Sequence, residues 1–314
     1  MTVETTWHAG QDSYKKYTLH MPNNNGQRLF SMELLDTAIP KHRSIYEIFH
    51  DHLAGRQTTT VEVLYSGGLD SELVLHSCLA NKIPVRAITM RLHINGFTLN
   101  THDLYYSEKF CRNAGIEYKI VSLDVQKFFS SGDHFQYLNP YLITQPHVAT
   151  HMWLFEQCTG FPVLGGEYPW PWVTSEDKVV LSPIRHNYNQ YDRFLVDRNI
   201  HGIGSMLDYS LESTICLLKM HLVTMESGSL GEVNGRGLGI AKFKAELWKN
   251  LGYHGVEPRY RGYGWEAVNI LDFNKEKYAM ELIAKHGLVK SSISWNNEIA
   301  LALGTTPGSN DRYF

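Results

Sequence analysis

From Val61 onward the chain alternates short apolar runs with segments of helical spacing. "VEVLYS" (61–66) reads as a buried strand. "LDSELVLHSCLANK" follows with Leu69, Leu73, Val74 and Leu79 on or near one helical face. "PVRAITMRL" (84–92) is a second strand, "DLYYSEKFCRNAG" (103–115) a second helix closed by a glycine, and "EYKIVSLDV" (117–125) a third strand. Helical spacing returns in "HVATHMWLFEQC" (147–158), and "FPVLGG" (161–166) is a fourth strand. Such alternation implies right-handed crossovers and a mostly parallel sheet, whose ligands bind beyond the carboxyl ends of the strands. Upstream, "SIYEIFHDHL" (44–53) spaces Ile45, Ile48, Phe49 and Leu53 as a helix, with Ser44 as N-cap and Glu47 as its capping-box partner. Beyond residue 185 or so the strand pattern fades. "LESTICLLKMHLVTME", "IAKFKAELWKNLG" and "KEKYAMELIAKHG" predict helices, so the C-terminal part reads as largely helical.

Composition narrows the class. The 314 residues are 43% apolar and 19% charged, ordinary for a folded protein, and the net charge of −3 leaves no basic excess to announce nucleic acid. The four cysteines, Cys78, Cys111, Cys158 and Cys216, form no CxxC pair, which argues against a cysteine zinc site or a dithiol motif. They read as reduced core residues of a cytoplasmic protein. No signal-peptide pattern opens the chain, and no apolar stretch approaches the ~18–20 residues of a membrane span.

The chemistry concentrates where the first strand stops. In "VLYSGGLDSELVLHSCL" (63–79), Ser66, Gly67 and Gly68 make the turn, and Leu69, Asp70 and Ser71 open the helix. Glycines permit positive φ and close ligand approach, and a helix start aims N–H groups and a positive dipole end at the same spot. That combination cradles phosphate. The spacing fits neither a Walker A loop nor GxGxxG. It matches SGGxDS, and the chain resembles the PP-loop ATP pyrophosphatase superfamily at Ser66, Gly67, Gly68, Asp70 and Ser71. The resemblance implies an α/β fold: a Rossmann-like parallel sheet of about five strands with helices on both faces, plus the helical C-terminal portion. It also implies ATP and Mg2+ as ligands, cleavage between the α and β phosphates, Asp70 near the magnesium, and contacts from Ile88, Thr89 and Met90 to adenine.

Two weaker likenesses point toward the asparagine-synthetase-like synthase domains. Gly165, Gly166 and Glu167 occupy the place of their glycine-rich acidic turn, which makes Glu167 a second candidate metal contact. Tyr168 and Pro169 stand where the family's acidic pair continues. "AKFKAELWKNLGYHGVEPRYRGYGWE" resembles the family's lysine helix and the arginine-containing segment after it, so Lys242, Lys244, Arg259 and Arg261 are candidates to neutralise phosphate charge. Thr2 follows Met1 and only about 60 residues precede the first strand, so no glutaminase domain is expected here. Nitrogen would come from ammonia, a substrate amine or a separate donor.

The expected organisation is an N-terminal extension (1–60) packing on the core, a PP-loop domain (61–185) and a helical portion (186–314) closing the site. The glycine-rich "GRGLG" (235–239) reads as a lid over the nucleotide. His147 and His151, at i and i+4, have zinc-like spacing but lack a third ligand, and read as helix-start polar residues. The expected activity is adenylation of a carboxylate or carbonyl-type oxygen, then capture by an amine. Two alternatives stay open: sulfur transfer to a tRNA base, which would need a catalytic cysteine and an RNA-binding face, and a nucleotide-binding module without catalysis. The acceptor is a small molecule or a macromolecule.

Overall fold

The computed structural model describes residues 28–31, 43–54, 59–141, 146–166, 171–173, 178–181, 187–207, 209–226 and 238–259. Strand β1 (Arg28–Ser31) precedes helix α1 (Ile45–Leu53). The α/β unit then runs β2 (Val61–Leu64), α2 (Leu69–Ala80), β3 (Val85–Ile94), β4 (Phe97–Thr98), α3 (Thr101–Ala114), β5 (Glu117–Asp124), α4 (Val125–Ser130), α5 (Phe135–Leu138), α6 (Pro146–Glu156) and β6 (Phe161–Leu164). After it come β7 (Pro171–Val173), β8 (Lys178–Leu181), α7 (Asn187–Asp197), α8 (Leu211–Glu226) and α9 (Leu238–Asn250).

The central strands lie in the order β5–β3–β2–β6, all parallel, with β4 folding back antiparallel on the end of β3. A single parallel bridge, Val163 to Ile203, extends the sheet beyond β6. Among the described residues the expected set of about five parallel strands is therefore four strands and a bridge. From β2 the chain steps outward through β3 to β5, then returns to the other side of β2 for β6. The winding reverses between β2 and β6, and this reversal opens the crevice in which sheets of this kind take ligands.

Side chains alternate across the sheet, and each face carries its own core. Val61, Val63 and Ala87 pack with α1, α2, α8 and α9 on one face. Ile88, Leu92 and Leu123 pack with α4, α5, α6 and α7 on the other. Helix α2 lies between the sheet on one side and α1 and α9 on the other, so Leu73, Val74, Leu75 and Cys78 are all buried. This overrides the single-face pattern: Leu79, expected on that face, is 37% exposed, while Leu75 is enclosed.

Local signals for the ends of elements match the geometry. The Glu47 N–H donates to Ser44 Oγ at 3.3 Å and the Ser44 N–H to Glu47 Oε2 at 2.7 Å, the capping box that opens α1. Gly115 closes α3 at φ 66°. A second, antiparallel sheet, β1–β8–β7, was not expected. Its strands are three or four residues long, too short to show a period, and β1 finds its partner far along the chain. No described helix is long and apolar enough to cross a membrane. The expected helix over 275–287 lies outside the described residues.

The amino ends of β2, β3 and β6 meet at Glu62, which is fully buried. It accepts from the Thr159 N–H at 2.7 Å and the Thr159 hydroxyl at 3.2 Å and pairs with Arg86. Burial pushes this carboxyl up, but hydrogen bonds from Gly160, Arg86 and Thr159 outweigh it and hold the group below its ordinary value. A lowered folded-state value means stability that is present above the unfolded value and lost as pH falls through the folded one. Glu62→Gln is therefore expected to cost about 2 kcal/mol at neutral pH, narrowing below pH ~4, in urea titrations at several pH values.

Candidate functional site

The turn after β2 is held from every side. Tyr65 is buried, its N–H donates to Ile88 O at 2.8 Å, and its carbonyl accepts from the Thr89 hydroxyl at 2.7 Å. Gly67 adopts φ 74°, and a Cβ there would stand 2.4 Å from the Asp103 carbonyl oxygen at the start of α3. Gly68 is the N-cap of α2 and makes no side-chain cap, so the opening N–H groups of the helix face outward with the positive dipole end. The Gly68 N–H itself has only a long bond, 3.4 Å, to Ser66 Oγ. Ser71 Oγ donates to Gly68 O at 3.3 Å.

The end of β6 closes the other side. A Cβ on Gly165 would lie 2.9 Å from Ser71 Cα, and one on Gly166, at φ 89°, 2.0 Å from Ser205 Oγ. The two glycine-bearing strand ends therefore meet across the crevice at backbone distance. Sequence resemblance placed both there, and the sheet order supplies the reason.

Charge is arranged above and beneath the turn. Lys244 Nζ, on α9, donates to Asp70 Oδ2 at 2.6 Å. The other oxygen, Oδ1, is buried with no hydrogen-bond partner. One helical turn after Lys244, Trp248 Nε1 donates to Leu69 O at 3.1 Å and pins α9 to the start of α2. Lys242, two residues before Lys244, is exposed on another face of α9. Arg259 is buried beneath the turn, where Nη1 donates to Gly67 O at 2.7 Å and Nη2 pairs with Glu72. Glu72 also accepts from the Tyr65 hydroxyl at 2.5 Å and the Tyr253 hydroxyl at 2.9 Å. Burial and the neighbouring Glu72 carboxylate push both tyrosines far up, so they stay protonated donors.

The structure thus brings Ser66, Gly67, Gly68, Leu69, Asp70, Ser71, Gly165, Gly166, Lys244 and Arg259 to one place. Ile88 is fully buried core and Thr89 braces Tyr65, while the Met90 carbonyl accepts from the Asn100 amide at 2.8 Å. Glu167 and Arg261 lie outside the described residues, as do residues 235–237 of the expected lid; Leu238 and Gly239 open α9. His147 and His151 meet edge to face at 5.7 Å, and His151 Nδ1 lies 2.7 Å from the Tyr191 hydroxyl. Burial pushes His151 down to about 4, so it is neutral at physiological pH. A shallow polar depression lined by Arg43, Asp51 and Lys82 sits at the far end of α2 from the turn.

Sequence reasoning missed Glu72, Tyr253, Trp248 and Tyr106, whose ring lies 4.9 Å from the Arg259 guanidinium. Glu72 follows the motif directly, and an acidic residue in a first turn reads as ordinary dipole compensation. Only its burial distinguishes it.

Among the described residues no group of three or more His, Cys, Asp or Glu is arranged to hold a metal. Magnesium does not need one, because it is commonly bound by one or two carboxylates together with substrate phosphates and water. The unpartnered Asp70 Oδ1 and the nearby Ser66 and Ser71 hydroxyls are hard oxygen donors of the right type, and the start of α2 carries no side-chain cap that would compete with a phosphate for its N–H groups. The residues present fit Mg2+ and a nucleoside triphosphate.

No family model and no curated protein matches the chain. Among solved structures it is similar to a predicted subunit of tRNA methyltransferase from Methanocaldococcus jannaschii, at 17% identity over 66% of this chain and 97% of that chain, with TM-score 0.32. It is similar to an NH3-dependent NAD synthetase from Campylobacter jejuni at 17% identity, 68% and 95% coverage and TM-score 0.29. It is also similar to a U34-tRNA thiolase from Methanococcus maripaludis at 12% identity, 81% and 78% coverage and TM-score 0.30. At such TM-scores these likenesses leave both fold and activity to the chain's own geometry.

Close backbone contact makes the glycines separable by experiment. Gly67→Ala and Gly165→Ala are each expected to lower stability by roughly 1–3 kcal/mol in denaturant titrations. Gly96→Ala, at positive φ like Gly67 but with nothing within 4 Å of its Cβ position, should cost less, about 1 kcal/mol.

Proposed function

We propose that the turn binds the triphosphate of ATP with Mg2+, and that the protein adenylates an acceptor oxygen, releases pyrophosphate, and passes the activated group to an amine or ammonia. The observation that carries this reading is the uncapped start of α2 at the winding reversal, with Asp70 Oδ1 unpartnered and Lys244 on the same carboxylate. In the first step the acceptor oxygen attacks the α-phosphorus, the α–β bridging P–O bond breaks, and its electron pair leaves on pyrophosphate. Charge gathers on phosphate oxygens, so positioned donors and cations lower the barrier. The N–H groups of α2 meet the phosphates, and Lys244 is close enough to exchange Asp70 for a phosphate oxygen. Asp70 would hold Mg2+, which supplies further neutralisation of that charge when bound. In the second step the amine attacks the activated carbon, the C–O bond to AMP breaks, and the amine loses a proton.

The cysteines favour amine capture over cysteine-based sulfur transfer. Cys78, Cys111 and Cys216 are buried. Burial pushes the Cys78 and Cys111 thiols up to about 12 and raises Cys158 further, whereas a nucleophilic thiolate needs a lowered value.

Pyrophosphate release from Mg-ATP, assayed over a panel of carboxylates, amines and bulk RNA, checks the proposal. With the productive acceptor, Asp70→Asn and Lys244→Met are each expected to reduce release by about 100-fold or more. Nucleotide binding with no release under any condition would favour the non-catalytic module. Release dependent on RNA would favour the tRNA-modifying reading.

A further inference from the structure

Arg259 and Glu72 form an ion pair with almost no access to water, at 8% and 2% exposure. Such pairs contribute little net stability compared with apolar residues of the same volume. A purely structural reason for this one is therefore weak. The geometry offers another. The guanidinium reaches three groups at once: Gly67 O through Nη1, Glu72 through Nη2, and the face of Tyr106, 4.9 Å from its ring centroid. Glu72 is fixed in turn by two hydroxyls, Tyr65 from the end of β2 and Tyr253 from the segment after α9.

The Gly67 carbonyl and the Gly68 N–H belong to one peptide plane and point in opposite directions in a trans peptide. A carbonyl drawn down onto Arg259 therefore turns the Gly68 N–H up toward the crevice. There it has only its long bond to Ser66 Oγ, which a phosphate oxygen can replace. Glycine on both sides leaves this peptide otherwise free to rotate. An apolar residue in place of Arg259 would leave the carbonyl unpaired and the plane unset.

We infer that Arg259, clamped by Glu72, is a positioning residue that sets the Gly67–Gly68 peptide so that its N–H faces the phosphates. Arg259 acts from beneath the turn and touches no substrate, in contrast to the direct phosphate contact that the sequence resemblance implies. The inference rests on the nucleotide reading above. Lysine keeps the charge opposite Glu72 but lacks the planar fork that serves Glu72, the carbonyl and the ring together.

The test compares affinities for Mg-ATP and for adenosine in wild type and Arg259→Lys, alongside thermal unfolding of the ligand-free proteins. The expected result is about tenfold weaker Mg-ATP binding with adenosine binding unchanged. A structural role alone would weaken both ligands together. If Arg259→Lys does not fold, Tyr106→Leu, which removes the ring against the guanidinium together with its edge contacts to His102 and Tyr105, should show the same selectivity with a smaller change. Equal Mg-ATP affinity in variant and wild type, or equal loss for both ligands, overturns the inference. Wild type that binds neither ligand removes the nucleotide reading itself, and the inference with it.

Discussion

Two main chains press against the turn after β2, and that close approach is the constraint on which the rest depends. On one side the Asp103 carbonyl occupies the space a Gly67 side chain would need; on the other, Gly165 lies against the backbone of Ser71. Neither contact survives an added methyl group without movement. Together they hold the start of α2 in the crevice between β2 and β6, where the winding reverses. A helix start so placed, without a side-chain cap, leaves its first N–H groups open to water or to a ligand in that crevice.

Charge is layered around this constraint. Asp70 and Glu72 sit two residues apart on α2 and take opposite partners, Lys244 on the crevice side and Arg259 beneath. The first pair keeps one carboxylate oxygen unpartnered. The second is fully enclosed and doubly supported by tyrosines, as a fixed foundation requires. Both cations come from residues 244–259, so the site is complete only when α9 and the segment after it dock on α2.

Much of the scaffold was legible in the sequence because its signals are local. The capping box of Ser44 and Glu47, the glycine closing α3 and the strand–turn–helix at Ser66 each depend on residues a few positions apart. Lys244 and the Gly165 turn were reachable through resemblance. The rest depends on distance in sequence. Leu79 was misplaced because the packing of α1 and α9 on α2 buries more than one face. The antiparallel sheet escaped because β1 pairs with β8 across the whole α/β unit. The pairing of Arg259 with Glu72 was not legible because nothing in "VEPRY" says that Glu72, 187 positions earlier, lies beside it.

If the segment 66–72 holds the phosphates of ATP, hydrogen–deuterium exchange across it slows on addition of Mg-ATP and does not slow with Mg2+ and adenosine. Unchanged exchange there under saturating Mg-ATP, or equal protection by adenosine, would contradict that role.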